Sequence, residues 1–271
     1  MGSNAGEFQR VSERGWRNGL ANLLRKENRT WWGSRRWLTQ SLLWLVVVNG
    51  LVALALFALP LAVEMDPNQN VEDVDFVAIG FQVLFQIGAI GMAVGVIILA
   101  QGLVIGERQS GVTEWILAKP VSRAAYILSK LIAHGIGVLV ILVGLQSGVA
   151  YGLLSLASGD LLPLPSFIAG VAGLALHTLF YLTLTLMMGV FAESRNKLLG
   201  VALGTLLGGM VLSSIVGRLA LVTPWLLPTL LPMLALGEPL PLPISWSMIA
   251  TAAWCVVFVV AALWKFERVE F

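Results

Sequence analysis

One polar stretch lies between long apolar segments of the chain, at residues 106–130: GERQSGVTEWILAKPVSRAAYILSK. It mixes apolar residues with charged ones, among them Glu107, Arg108, Glu114, Lys119 and Arg123. This composition suits a surface that docks onto another protein, where apolar contacts form the centre and charges form the rim. The composition of this stretch therefore favours a role in binding a partner.

Catalytic and metal-binding patterns are absent from the sequence. It has no glycine-rich loop ending in Gly-Lys-Ser or Gly-Lys-Thr, no His-Glu-x-x-His and no glycine-flanked nucleophilic serine. The single cysteine, Cys255, excludes an internal disulfide and a multi-cysteine metal site. The histidines, His134 and His177, fall on different apolar segments at different depths, which disfavours a bis-histidine haem. We expect no cofactor, no metal and no enzymatic activity in this chain.

The composition predicts a membrane protein. Hydrophobic residues make up 58% of the 271 residues and charged residues 12%, too few charges for the surface of a soluble protein. About 20 apolar residues in a helix cross a hydrocarbon core of roughly 30 Å. Uncharged stretches of this length recur along the chain, which excludes one large soluble helical domain.

Six apolar stretches predict an all-α membrane protein with six transmembrane helices. They cover residues 38–63, 76–105, 125–157, 166–192, 198–217 and 244–264. The chain then divides into a cytoplasmic N-terminal segment (1–37), a six-span transmembrane domain (38–264) and a cytoplasmic tail (265–271).

The distribution of basic residues predicts the orientation. All of them except Arg218 lie before the first stretch, around the loop from the second to the third, between the fourth and fifth, or after the sixth. Cytoplasmic loops carry the excess of lysine and arginine. Both termini are therefore expected in the cytoplasm of a protein in the cytoplasmic membrane.

The segment before the first span predicts an amphipathic helix, over residues 16–37, that lies in the cytoplasmic membrane interface. Apolar residues recur along it at helical spacing, opposite basic ones. Tryptophan is typical of headgroup depth, so we expect four membrane anchors: Trp16, Trp31, Trp32 and Trp37. A plain anchoring role is the favoured interpretation, ahead of a gating role.

The segment 218–243 predicts short, broken, partly re-entrant helices on the outer side. Pro224, Pro228 and Pro232 lie four residues apart, and each removes a backbone hydrogen bond and crowds the preceding turn. Such backbone is tolerated at membrane depth only where protein covers it. The segment could line a pathway or form a compact external loop, and the sequence leaves both open.

Small residues form a stripe on the fifth predicted span. Gly200, Gly204 and Gly208 recur every four residues, which lets another helix approach closely. We expect this stripe to pack against a neighbouring helix, and it is our candidate for a dimer face.

Within the polar stretch, residues 112–119 predict two turns of helix, with Val112, Trp115 and Ile116 on one face. Pro120 ends this helix, and Ser122 can cap the next one. Helices shorter than about 12 residues are marginal in water. It therefore needs a surface to rest on, either the lipid interface or another cytoplasmic protein.

The same loop resembles a known family. The residues that carry the likeness are Glu107, Gly111, Glu114, Leu117, Pro120, Ser122, Arg123 and Lys130. Together they resemble the loop between spans two and three of type-2 ABC transporter permeases, including the permease of the nitrous oxide reductase maturation system. The topology is similar over nearly the whole chain, whereas the residue-level match is confined to this loop.

The resemblance implies a coupling loop (106–124) that docks onto a separate nucleotide-binding ATPase, with ATP and Mg on that subunit. It implies that Glu107 closes the second span, that Gly111 permits a tight turn, and that Pro120 and Arg123 frame the exit. The docking stretch would be 113–118, which includes Thr113, Glu114, Trp115 and Leu117. This chain has Val112 where the family commonly has threonine.

The function expected from these features is that of a membrane permease subunit of an ABC transporter that exports its substrate. It would work beside a second permease copy or paralogue. One alternative is a secondary transporter or channel, which deep ionisable residues would favour. A membrane scaffold without transport activity is the other.

Overall fold

The computed structural model describes residues 15–65, 74–239 and 242–269, and helices are the only regular structure in these ranges. The N-terminal part contains α1 (Leu20–Trp32), α2 (Arg36–Glu64), α3 (Phe76–Gln109) and α4 (Val112–Leu117). There follow α5 (Arg123–Ser158), α6 (Leu164–Phe191), α7 (Arg195–Ile215), α8 (Gly217–Leu221), α9 (Leu227–Leu236) and α10 (Leu242–Glu267).

Five helices of the described chain are long and apolar enough to cross a membrane: α2, α3, α5, α6 and the Ser245–Glu267 part of α10. The fifth predicted span forms α7, which is not among these five. The all-α class and the multiple spans are therefore confirmed, and the count of six stays a prediction.

Helix α6 forms the centre of the bundle. Its residues 180–186 are buried in succession, so this part of the helix is covered on all sides. Gly170 and Gly173 leave room on α6 for Ala235 and Leu231 of α9, whose side-chain atoms lie where a Cβ would be added. Helix α9 therefore packs directly on the central helix.

A buried amide pair joins the first and third predicted spans. The Asn49 side-chain amide of α2 donates to Gln146 Oε1 of α5 at 2.8 Å, and Gln146 Nε2 donates to the Ile141 carbonyl at 3.0 Å. Wider, π-helical turns occur at both amides: Asn49 ends the turn Leu45–Asn49, and the turn Leu139–Gly144 comes shortly before Gln146. These amides act as links between helices, as their apolar surroundings require.

The proline-rich segment is broken into short helices, as predicted. Helix α8 is followed by a single 3₁₀ turn, Pro224–Leu226, and by α9, with Pro228 in its first turn and Pro232 inside it. Residues 240 and 241 of this segment lie outside the described ranges.

The N-terminal helix packs against protein. Leu23, Glu27 and Trp31 lie four residues apart on one face of α1, and all three are buried against α5. The Trp31 indole lies against Gly137 of α5: a Cβ added at Gly137 would be 2.8 Å from Cδ2 of Trp31. Trp31 is 0% exposed, so its predicted place among the lipid headgroups is wrong, because α5 covers that face of the helix.

The other three predicted anchors differ from Trp31. Trp16, Trp32 and Trp37 are 53%, 40% and 41% exposed, so each presents a large apolar surface. Their role at the membrane interface stays a prediction. The first 14 residues of the predicted cytoplasmic segment and the last two of the tail lie outside the described residues.

Candidate functional site

A glycine turn separates the end of α3 from the short helix α4. Gly111 has a φ of 73° and a ψ of 0°, a left-handed conformation that side chains disfavour. This is the tight turn expected at Gly111. It allows the chain to reverse direction within two residues of α3 and to begin α4 at Val112.

Helix α4 has one buried face and one exposed face. Thr113 and Ile116 are buried against the bundle, whereas Trp115 is 65% exposed. The Lys119 Nζ lies 3.4 Å from the centre of the Trp115 ring, a cation–π contact that holds the indole in place. Glu114 and Pro120 are exposed beside this pair, and Leu117 is half-buried.

The start of α4 has no side-chain cap. Gly111 occupies the cap position, and no side-chain hydrogen bond closes this end of the helix. The Thr113 hydroxyl lies 3.1 Å from the Tyr126 hydroxyl instead of capping the helix. Thr113 therefore links the short helix to α5, and Val112, 37% exposed, adds apolar surface to the outer face.

The carboxylate of Glu107 connects the loop to two other helices. It lies 2.8 Å from Lys26 Nζ of α1 and 2.9 Å from Lys130 Nζ of α5. The Tyr126 hydroxyl also donates to Glu107 at 2.7 Å. Because Tyr126 gives its proton to Glu107, it accepts from Thr113. Glu107 thus lies in the last turn of α3 and connects the loop to α1 and α5.

A second carboxylate, Glu27, completes an ion cluster with Glu107, Lys26 and Lys130, in which Glu27 and Lys130 are buried. Lys130 Nζ lies 3.1 Å from Glu27, and Lys26 Nζ lies 3.4 Å from it. Lys130 is only 1% exposed, which requires paired counter-charges. The two lysines balance the two carboxylates. Lys130 is thus buried between Glu27 and Glu107.

His134 extends the cluster towards α1. The Trp31 indole N–H donates to His134 Nδ1 at 2.7 Å, and His134 Nε2 lies 3.4 Å from Glu27. An indole can only donate, so Nδ1 is unprotonated and Nε2 carries the proton towards Glu27. His134 is therefore a neutral link between an indole donor and a carboxylate.

The cluster controls the ionisation of its two members on α1. Burial raises the pKa of Glu27, but the hydrogen bond from His134 and the charges of Lys130 and Lys26 outweigh it and lower the pKa to about 2. Burial lowers the pKa of Lys26, and the hydrogen bond and charge of Glu107 reverse this, so the net pKa is raised. Both groups are ionised at neutral pH.

The exit of the loop is bound to the segment before α1. Ser122 Oγ donates to the Trp16 carbonyl at 2.6 Å and accepts from the Ala125 amide at 3.0 Å. The Ser122 amide donates to the Asn18 carbonyl at 3.0 Å. Ser122 therefore caps α5, as predicted, and also attaches the N-terminal segment to the loop.

Two arginines attach the loop to the ends of other helices. Arg123 donates to the carbonyls of Phe266, Glu267 and Val269 at the end of α10, at 3.2, 2.6 and 2.8 Å. Arg108 donates to the Val190 carbonyl at the end of α6 at 2.8 Å. Cations stabilise helix C-termini, whose last carbonyls lack partners. The loop is therefore attached by hydrogen bonds to the ends of α6 and α10 and to the segment before α1.

A groove lies beside α4 on the same face. It has a volume of about 660 Å³ and runs between the first turns of α1 and the short helix, with Trp115, Lys119 and Pro120 on one wall. Arg17 and Leu20 line the other wall. The outer face of α4 thus offers both a projecting indole and an adjacent concave surface.

The members of the ion cluster outside the loop were not predicted. Two of them, Lys26 and Glu27, lie on α1. The third, His134, lies on α5, one helical turn after Lys130. The available signal was the position of Glu27, which lies four residues from both Leu23 and Trp31 on the apolar face of α1. A carboxylate on such a face indicates a buried partner more readily than lipid contact.

The glycine stripe of α7 is open in the single chain. A Cβ added at Gly200, Gly204 or Gly208 would meet no atom within 4 Å. No neighbouring helix of the described chain therefore fills the stripe. In the same described ranges, no group of three metal-binding side chains occurs.

No curated protein matches the chain. Residues 21–271, which include the coupling loop, the ion cluster and all the apolar helices, match the family described as ABC-2 family transporter protein. Members of that family are membrane components of ABC transporters and generally work with an ATPase subunit. This chain therefore belongs to the ABC-2 family of transporter membrane proteins.

Proposed function

We propose that this chain couples ATP hydrolysis by a separate nucleotide-binding subunit to the export of a substrate across the cytoplasmic membrane. In this proposal the chain crosses the membrane six times, with both termini in the cytoplasm. ATP and Mg bind to the partner, and this chain supplies the transport path and the docking element.

The exposed face of α4 carries this proposal. Trp115 is 65% exposed beside Lys119 and the adjoining groove. Without a partner, this tryptophan would leave a large apolar surface in water. Tryptophan is among the residues that dominate the binding energy of protein interfaces. We infer that Trp115 inserts into the ATPase subunit, with Glu114 and Lys119 as its polar rim.

The contacts of the loop supply a route for coupling. Glu107 attaches the loop to α1 and α5, Arg108 to α6, and Arg123 to α10. Because the loop is held by charged groups at several helix ends, a shift of α4 by the ATPase would move these helices as a unit. We therefore propose that Arg123 transmits this movement, in addition to its predicted place at the exit of the loop.

A second permease copy completes the proposed assembly. The face of α7 around Gly204 is open, and its apolar neighbours Leu207 and Val211 are 58% and 60% exposed. Two such faces could pack closely through their glycines. Symmetric pairs are the commonest oligomers, so we propose that α7 faces α7 of a second copy.

Purification with the neighbouring gene products tests the proposal. The permease is expressed with any adjacent chain that carries a Walker A motif and is purified in mild detergent by a tag on the permease. We expect the ATPase chain to copurify and its ATP hydrolysis to drive substrate flux in vesicles. A permease that retains no ATPase chain, or a complex that hydrolyses ATP without flux, would contradict it.

A further inference from the structure

A partly open cavity lies between the helices of the bundle, far in sequence from the coupling loop. Its volume is about 150 Å³, and it is lined by α3, α6, α7, the 3₁₀ turn and the start of α9. The polar residues on its wall include Gln86, His177, Tyr181 and Trp225. Gln86 lies in a π-helical turn of α3, Val83–Ile87, a distortion that is frequent at functional sites.

Three polar atoms of the cavity wall lack partners. They are His177 Nδ1, Tyr181 Oη and Trp225 Nε1, and all are buried without a hydrogen bond. The Trp225 indole lies near the Tyr181 hydroxyl, but the two do not reach hydrogen-bond geometry. Buried polar groups are nearly always paired. Three orphan atoms around one cavity therefore indicate an occupant that pairs with them.

The wall is built to hold these side chains in place. His177 and Tyr181 lie one helical turn apart on α6, with their rings edge to face at 5.1 Å. Trp225 lies directly on Gly209 of α7, where its Nε1 occupies the space that a Cβ would need. Only glycine at position 209 allows the indole to reach the wall of the cavity.

The chemistry of the wall defines the occupant. The Trp225 indole can only donate a hydrogen bond, whereas the Tyr181 hydroxyl can donate or accept. The rest of the wall is largely apolar, including Ile90 and Leu206, and among the described side chains no carboxylate, lysine or arginine lines it. A charged ligand would therefore have no counter-charge. A dry apolar cavity of about 150 Å³ binds benzene, which sets the size of the ligand.

We propose that this cavity binds a neutral molecule or substituent of about the size of a phenol, with an apolar body and one hydroxyl group. The hydroxyl accepts from the Tyr181 hydroxyl, with the Trp225 indole as a second donor, and donates to His177 Nδ1. The role of this site rests on the proposed function: in a permease it would lie on the transport route and contact the part of the substrate that enters the bundle.

Two fluorinated probes test the site in the full-length permease, reconstituted in lipid nanodiscs without nucleotide. Binding of 4-fluorophenol and of fluorobenzene is measured by ¹⁹F saturation-transfer NMR, and empty nanodiscs give the background from lipid. We expect 4-fluorophenol to bind above background and more tightly than fluorobenzene. Equal affinities, or no binding above background as in a cavity filled by water alone, would overturn the proposal.

Variants locate the bound probe. Tyr181→Phe keeps the ring and removes the hydroxyl, and we expect about a tenfold loss of 4-fluorophenol affinity with fluorobenzene unchanged. Gly209→Ala displaces Trp225 and should cause a similar loss, whereas Gly148→Ala has open space around its Cβ and should bind as the wild type does. Unchanged 4-fluorophenol affinity in Tyr181→Phe would refute the assignment even if Gly209→Ala fails to fold.

These results are separable from the proposed function. Probe binding needs no ATPase, so it persists if the chain couples to none. Conversely, Tyr181→Phe should retain the ATPase chain on purification, because Tyr181 is far from α4 in the sequence and is buried within the bundle. A wild-type permease that retains its ATPase chain but binds no 4-fluorophenol would therefore refute this inference alone.

Discussion

The ammonium group of Lys130 lies between the carboxylates of Glu107 and Glu27, at 2.9 and 3.1 Å, with its side chain 2% exposed. One carboxylate ends the helix that leads into the coupling loop, and the other belongs to the N-terminal helix. This lysine therefore joins three helices at the point where the loop begins. Removal of any one partner leaves a buried charge uncompensated.

The Glu27–Lys130 pair should be strongly cooperative. Breaking a buried pair by removing one partner costs about 3–5 kcal/mol, so Glu27→Gln and Lys130→Met should each lower the free energy of unfolding by roughly that amount. The double variant should lose much less than the sum. Denaturant unfolding in detergent micelles measures the cycle, with Lys119→Met, a lysine outside the cluster, as control. Additive losses would show that the two residues do not interact.

The same pair predicts how stability depends on pH. The pKa of Glu27 falls from 4.5 to about 2 on folding, so its contribution is fully present above pH 4.5. It is lost as the pH falls from 4.5 towards 2, when the carboxylate facing Lys26, Lys130 and His134 is protonated. A shift of this size corresponds to about 3 kcal/mol.

Unfolding measured between pH 2 and pH 6 tests this dependence. The wild type should lose stability over the window, and Glu27→Gln should lose less, because it has no carboxylate to protonate. Parallel curves for the two proteins would contradict the assignment. The raised pKa of Lys26 has the opposite sign: its contribution is present below pH 10.5 and disappears above it.

The α7 stripe predicts a specific effect on oligomeric state. Gly204→Leu should weaken the dimer at least tenfold, because a bulky side chain prevents close approach of the two helices. Native mass spectrometry in a mild detergent measures the ratio of monomer to dimer. Gly152→Leu is the matched control, because Gly152 also has open space around it but lies on α5. An equal effect of both variants would argue against α7 as the dimer face.

The helical elements and the coupling loop could be predicted from the sequence because their signals are local. Apolar runs define the long helices, prolines break the segment after α7, and Gly111 and Ser122 begin α4 and α5 as expected. These features depend on neighbours within a few residues, so composition and spacing contain the necessary information.

The partners of those elements could not be predicted, because they are distant in sequence. Trp31 meets His134, and Glu27 meets Lys130, across 103 residues each. An apolar helix face can pack equally well on lipid or on protein, so the pattern of α1 alone does not distinguish them. The contact of Trp225 with Gly209 could not be predicted either, because a single glycine in a helix does not indicate which side chain packs against it.

Docking of α4 onto the ATPase subunit is tested most directly by the ATPase activity of the reconstituted complex with Trp115 replaced. Trp115→Ala should reduce the stimulation of ATP hydrolysis by the permease about tenfold or more, because a buried tryptophan at an interface is typically worth 2 kcal/mol or above. Trp246→Ala is the matched control: Trp246 is also 65% exposed but lies in α10, outside the loop. Its complex should be stimulated like the wild type. Full stimulation with Trp115→Ala, or equal losses in the two variants, would contradict docking through α4.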